Sequence, residues 1–215
     1  MKALSDCHLY GFVDTAYLND REPAELAESL CSGGADILQI RAKDQPAHVV
    51  EPAAKAILEI VRRHNVGLVI NDHWDVACKL GAPVCHLGQE DFFDSGFKHK
   101  NELPTRVDGQ RPMLGLSTHA PEQAVRAIAA GADYIAIGPV FPTDTKPEAK
   151  AVTLNYVKWA ADNVSIPWFA IGGIDLENVG QVVEAGAKRI CVVSAILNAE
   201  DVAATCAEFR SRVVH

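Results

Sequence analysis

Polar residues in this chain of 215 come in short groups, each directly after an apolar run. In "QIRAK" the alternation of Gln39, Arg41 and Lys43 puts all three on one side of an extended segment and its continuation. Arg offers a planar fork of donors and Lys a compact charge, so the two suit phosphate oxygens. The competing reading is a strand-end charge cluster paired with carboxylates. "IND" and "HLGQED" supply Asp72 and Asp91, with Asn71 and Gln89 as neutral partners. Two carboxylates aimed at one opening suit Mg²⁺, which takes oxygen ligands and completes its shell with substrate phosphate and water. Helix capping by Asp72 and a satisfied turn at Asp91 are the alternatives. "GPVFPTDTK" gathers Thr143, Thr145 and Lys146 in one loop, which in isolation reads first as a polar surface turn. In "AIGGID" and "VVSAIL", Gly172, Gly173 and Ser194 offer backbone amides, freed by glycine and by the start of the next helix, that can hold a phosphate monoester. His73, His86 and His119 show no zinc spacing, and ordinary polar or core roles are expected for them.

Two anion-binding regions follow. One, near Lys43, Asp72 and Asp91, is associated with a metal; the other, near Gly173 and Ser194, is not. A diphosphate at the first and a monophosphate at the second suit a two-substrate transferase, whose substrates composition and spacing do not name.

These groups need elements that bring them together. Short β-rich runs bounded by turn residues fall at 8–13, 36–41, 67–71, 84–88, 113–117, 134–138, 168–172 and 189–194. Most are almost continuously apolar, as parallel strands buried on both faces are. Helical patterns such as "PAHVVEPAAKAILEIVRRH" and "AEDVAATCAEFRSRV" lie between them, and Gly-Ala pairs at 34–35, 81–82, 131–132 and 186–187 mark helix ends. The reading is a compact α/β fold, a (β/α)8 TIM barrel forming one domain over 1–215, with a doubly wound open sheet as runner-up. Residues 92–112 interrupt the pattern as a short helix with a loop. In such a barrel the polar groups sit at the C-terminal ends of the strands and converge on one face.

Composition narrows the class. With 48% hydrophobic and 22% charged residues the chain is not disordered, and no apolar run is long enough to span a membrane. The opening "MKALSDCHLY" lacks the apolar core of a signal peptide, so a cytoplasmic protein is expected. Six cysteines without a CxxC pair read as reduced core thiols, and a net charge of −8 disfavours nucleic acid while leaving room for a small anion held by local cations. The sequence is compatible with a homo-oligomer.

Taken in order, "QIRAKD", "INDHWDVA", "HLGQED", "GLSTH", "GADYIAIGPVFPTDTKP", "AIGGI" and "VVSAI" make residues 8–197 resemble thiamine phosphate synthases. The resemblance implies coupling of a hydroxymethylpyrimidine diphosphate to a thiazole phosphate with release of diphosphate, using Mg²⁺. It implies that Gln39, Arg41, Lys43, Asn71, Ser117 and Lys146 contact the pyrimidine diphosphate. Asp72 and Asp91 then hold Mg²⁺, and Thr143, Thr145, Gly173, Val193 and Ser194 receive the thiazole phosphate. Lys146, Arg41 and Lys43 take the catalytic role of stabilising charge on the departing diphosphate. The family's dissociative chemistry needs no strong general base, because the attacking thiazole nitrogen carries no proton. Residues 92–112, Pro83 with Cys85, and "LYGFVDTAYL" depart from the family's usual wording. Thiazole tautomerase relatives, expected to carry histidine where this chain has Pro139, are the nearest rival; a noncatalytic phosphate-ligand sensor on the same barrel is the rival from another class.

Overall fold

Runs that are apolar at nearly every position become strands shielded inside by the barrel core and outside by helices. In the computed structural model, which describes residues 1–143 and 151–214, these are β1 (Leu9–Asp14), β2 (Ile37–Arg41), β3 (Gly67–Asn71), β4 (Val84–Leu87), β5 (Met113–Thr118), β6 (Tyr134–Ile137), β7 (Trp168–Ile171) and β8 (Ile190–Cys191). β1 is buried along its whole length, and so is β6. All neighbours pair in parallel, and Leu9 opposite Ile190 with Tyr10 opposite Cys191 joins β1 to β8. That pairing closes the barrel and removes the open-sheet alternative.

The connecting helices are α1 (Pro23–Ser32), α2 (Ala47–Arg63), α3 (Trp74–Leu80), α4 (Gln89–Asp94), α5 (Pro121–Ala129), α6 (Thr153–Asn163), α7 (Val179–Glu184), α8 (Ser194–Leu197) and α9 (Val202–Val213). In α2 the apolar residues Val50, Ala54, Ile57, Leu58 and Val61 recur at helical spacing and are buried, which lays one face on the barrel. Gly81 ends α3 in the left-handed conformation, with φ of 64°, and Gly34, Gly131 and Gly186 adopt the same region at the other expected junctions.

The interruption at 92–112 contains the end of α4 and a 3-10 turn at Lys100–Glu102. It is tied down: Trp74 Nε1 donates to Pro104 O at 2.9 Å, and Arg111 donates to Leu103 O and Asn101 O at 2.8 Å each. The Arg126 guanidinium lies 3.5 Å from the centre of the Phe93 ring. The cysteines are all free, and Cys78 alone among them is only half-buried. Among the described residues no helix is long and apolar enough to cross a membrane.

Candidate active site

The C-terminal ends of the strands surround a cavity of about 430 Å³. β2 and its continuation contribute Gln39, Arg41 and Lys43; β3 and the next residue contribute Asn71 and Asp72; α4 contributes Asp91. Ser117 of β5, Thr143, Gly173, Val193 and Ser194 complete the set, so each sequence-predicted site residue within the described range, except the neutral partner Gln89, lines one opening. Thr145 and Lys146 lie outside the described residues.

Local geometry decides between the readings left open for several of these. Arg41 Nη1 lies 2.7 Å from Asp14 Oδ2, so the pairing with a carboxylate and the cavity position hold together. Asp72 does not cap α3: the cap residue is His73, with no side-chain cap bond. Its backbone turns left-handed at φ of 61°, its N–H donates to His86 O at 2.9 Å, and its carboxylate accepts from Asn71 Nδ2 at 2.6 Å. Asp72 is open to the cavity yet surrounded by protein. That partial desolvation first, and the negative charge of Asp91 second, raise its pKa above the ordinary carboxylate value. The Asp91 carboxylate folds over Gly88, where a Cβ would sit 2.5 Å from Oδ2, so a residue with a side chain at 88 would displace it.

Gln89 does not reach the cavity. It is buried, donates to Glu90 Oε1 at 2.7 Å, and leaves its own Oε1 without a hydrogen-bond partner among the described residues, while Glu90 lines the opening in its place. On the opposite side, Gly172 and Gly173 have φ of 100° and 62°, and a Cβ on Gly173 would lie 2.5 Å from Pro142 O. The backbone of Gly173 can follow the 141–143 segment this closely only as glycine. Asn178 Nδ2 donates to Gly173 O at 2.8 Å and fixes the turn.

Tyr10, His86 and His119 also line the cavity, and reading the motifs did not single them out as site residues. Strand alternation points to Tyr10, two residues from Phe12 on the same inward face. His119, two residues beyond Ser117, bonds through Nδ1 to Gly138 O, a link that no local pattern announces.

A family described as thiamine monophosphate synthase matches residues 9–196. Among curated proteins, a thiamine-phosphate synthase of Thermus thermophilus is 44% identical over 190 residues, covering 86% of each chain. That of Halalkalibacterium halodurans is 39% identical over 207 residues, covering 96% of this chain and 95% of its own. The solved structure of a thiamine phosphate pyrophosphorylase from Pyrococcus furiosus superposes with a TM-score of 0.81 at 27% identity, covering 99% of this chain and 98% of that one. By sequence and by fold, the chain belongs to the thiamine monophosphate synthase family.

Proposed function

We propose that the chain is a transferase that joins 4-amino-2-methyl-5-(diphosphooxymethyl)pyrimidine to 4-methyl-5-(2-phosphooxyethyl)thiazole, giving thiamine phosphate and diphosphate. The observation that carries this reading is the convergence of Arg41, Lys43, Asp72 and Asp91 with Gly173 and Ser194 around one cavity, a cation-and-carboxylate side facing a glycine side. Family membership supports it.

In this reading the bond between the pyrimidine methylene and the diphosphate oxygen breaks first. The thiazole nitrogen then gives its lone pair to the methylene carbon, so no proton moves. Arg41, Lys43 and Lys146 hold the diphosphate oxygens and stabilise the charge that grows on them. Backbone amides at Gly173 and Ser194, with Thr143, Thr145 and Val193, hold the thiazole phosphate. Gln39, Asn71 and Ser117 orient the pyrimidine.

Asp72 and Asp91 fit a hard divalent cation. Both are oxygen donors at one opening, and the charge of Asp91 already disfavours the ionised form of Asp72, a repulsion that a bound cation would relieve. Mg²⁺ bound there supplies positive charge to the diphosphate. With no cluster of three or more His, Cys, Asp or Glu residues among the described residues, the rest of its shell falls to substrate and water. The same reading makes 1–215 one catalytic domain working in the cytoplasm on small molecules.

Incubating the purified protein with both substrates and Mg²⁺ tests the proposal. Thiamine phosphate and diphosphate are expected in equal amounts by chromatography. Conversion of a thiazole tautomer without coupling would favour the tautomerase rival, and no turnover of either kind would leave the sensor.

A further inference from the structure

Three hydrogen bonds cross the cavity floor between residues far apart in sequence. Gln39 Nε2 donates to Tyr10 Oη at 2.7 Å, Tyr10 Oη meets Tyr134 Oη at 3.0 Å, and Tyr134 Oη meets His86 Nδ1 at 2.9 Å. Gln39, Tyr10 and Tyr134 are buried, and Gln39, Tyr10 and His86 line the cavity. Space for the chain is built in. A Cβ on Gly115 would collide with the Tyr134 ring, so glycine on β5 is what admits the phenol. The Tyr10 ring stacks on Phe12 at 5.2 Å and meets Phe169 edge-on at 5.3 Å, which holds its hydroxyl in place.

One direction leaves no buried proton unpaired. An amide Nε2 only donates, so Tyr10 Oη accepts from Gln39, and among the described residues the acceptor within reach of the buried Tyr10 proton is Tyr134 Oη. In that direction Tyr134 donates to His86 Nδ1, which requires His86 to carry its proton at Nε2. Burial pushes both tyrosine pKa values well up, so both hydroxyls keep their protons at neutral pH. With Nε2 engaged, the amide atom that Gln39 has left for the cavity is its carbonyl Oε1, a pure acceptor.

We propose that Tyr10, Tyr134 and His86 are positioning residues that hold Gln39 with its carbonyl toward the cavity as the acceptor for the exocyclic amine of the aminopyrimidine substrate. Without the chain the amide can rotate by a half turn and present Nε2, a donor facing a donor. The inference rests on the substrate assignment above, and its test does not require turnover. Calorimetry with Mg²⁺ compares binding of the aminopyrimidine diphosphate and of an analogue with hydrogen in place of the amine, to wild type, Tyr10→Phe and Tyr134→Phe.

Each variant is expected to bind the aminopyrimidine about tenfold more weakly, the size of one misdirected hydrogen bond. Each should bind the deamino analogue as wild type does, with unchanged affinity for the thiazole phosphate. Equal losses on both pyrimidines, or no loss on either, would overturn the proposal. Thermal melting identifies any variant that fails to fold. In that event ¹⁵N spectra of wild-type His86 decide, with protonation at Nε2 supporting the chain's direction and protonation at Nδ1 overturning it. Failure of wild type to bind either pyrimidine diphosphate would instead sink the substrate assignment.

Discussion

Arg41 and Asp14 are register partners on adjacent strands, and their ion pair closes at 2.7 Å with side-chain exposures of 15% and 1%. So little water reaches Asp14 that removing its partner leaves a carboxylate with nothing comparable to hold its charge, at a cost of about 3 kcal/mol. Loss of activity on replacing Arg41 therefore mixes two effects, and a second substitution separates them. Arg41→Met is expected to lower both the melting temperature and turnover. Adding Asp14→Asn should recover most of the stability and none of the turnover. Recovery of both would confine Arg41 to a structural role.

The strand ends were legible because buried parallel strands are continuously apolar and the first polar residue after each marks where the chain leaves the barrel. Asn71 and Ser117 were legible that way, and Gln39 by its alternation with Arg41 and Lys43 in "QIRAK". Asp14 was not, because its importance comes from the β1–β2 register that sets it opposite Arg41. Tyr134 read as an ordinary strand residue, since its partner Tyr10 lies 124 positions away and meets it only across the closed barrel. Gln89 and Glu90 exchanged places for a local reason. Successive residues of α4 point in different directions, and the helix's phase, which the motif "HLGQED" does not state, turns Glu90 to the cavity and Gln89 inward. The eighth strand shrank from 189–194 to Ile190–Cys191, because the chain departs at Val193 into α8.

Gly173 offers a test of the thiazole side. Its φ is 62°, and a Cβ there would approach Pro142 O to 2.5 Å, so even alanine is strained and displaces the neighbouring segment. Gly173→Ala is expected to raise the thiazole phosphate requirement about tenfold or more, as loss of a hydrogen bond to a charged group does. The pyrimidine diphosphate requirement should stay nearly unchanged. Equal effects on both, in steady-state kinetics of a folded variant, would point to general distortion of the cavity.

The metal assignment predicts a linkage effect. Diphosphate and Mg²⁺ together should raise the melting temperature by more than the sum of their separate shifts, because each completes the other's site. Asp72→Asn and Asp91→Asn should each abolish most of that synergy. The unliganded variants should melt no lower than wild type, since one of two repelling charges has gone. Full retention of the Mg²⁺-dependent shift in both variants would remove these aspartates as ligands.

At the opposite end of the barrel, the fully buried Asp36 carboxylate accepts from Lys2 Nζ at 2.6 Å, His8 N at 2.9 Å, Leu9 N at 3.2 Å and Arg210 Nη1 at 2.5 Å. It ties the amino-terminal segment and the start of β1 to the last helix, α9. Burial alone would raise its pKa. The bonds from Lys2, from the His8 amide, from Arg210 and from the Leu9 amide outweigh that, and the net direction is down. The folded state thus binds this proton more weakly than the unfolded chain. The stabilisation is fully present above the unfolded value of about 3.9 and is lost as pH falls through the lower folded value. Asp36→Asn keeps the shape but removes the charge that Lys2 and Arg210 face, and is expected to cost about 3 kcal/mol at pH 7. In urea unfolding, the gap between wild type and variant should hold from pH 7 to about 5 and close progressively below about 4, because wild type loses what the variant never had. A gap that stays constant down to about pH 3 would show that packing around residue 36, and not the carboxylate's charge, is what the substitution disturbs.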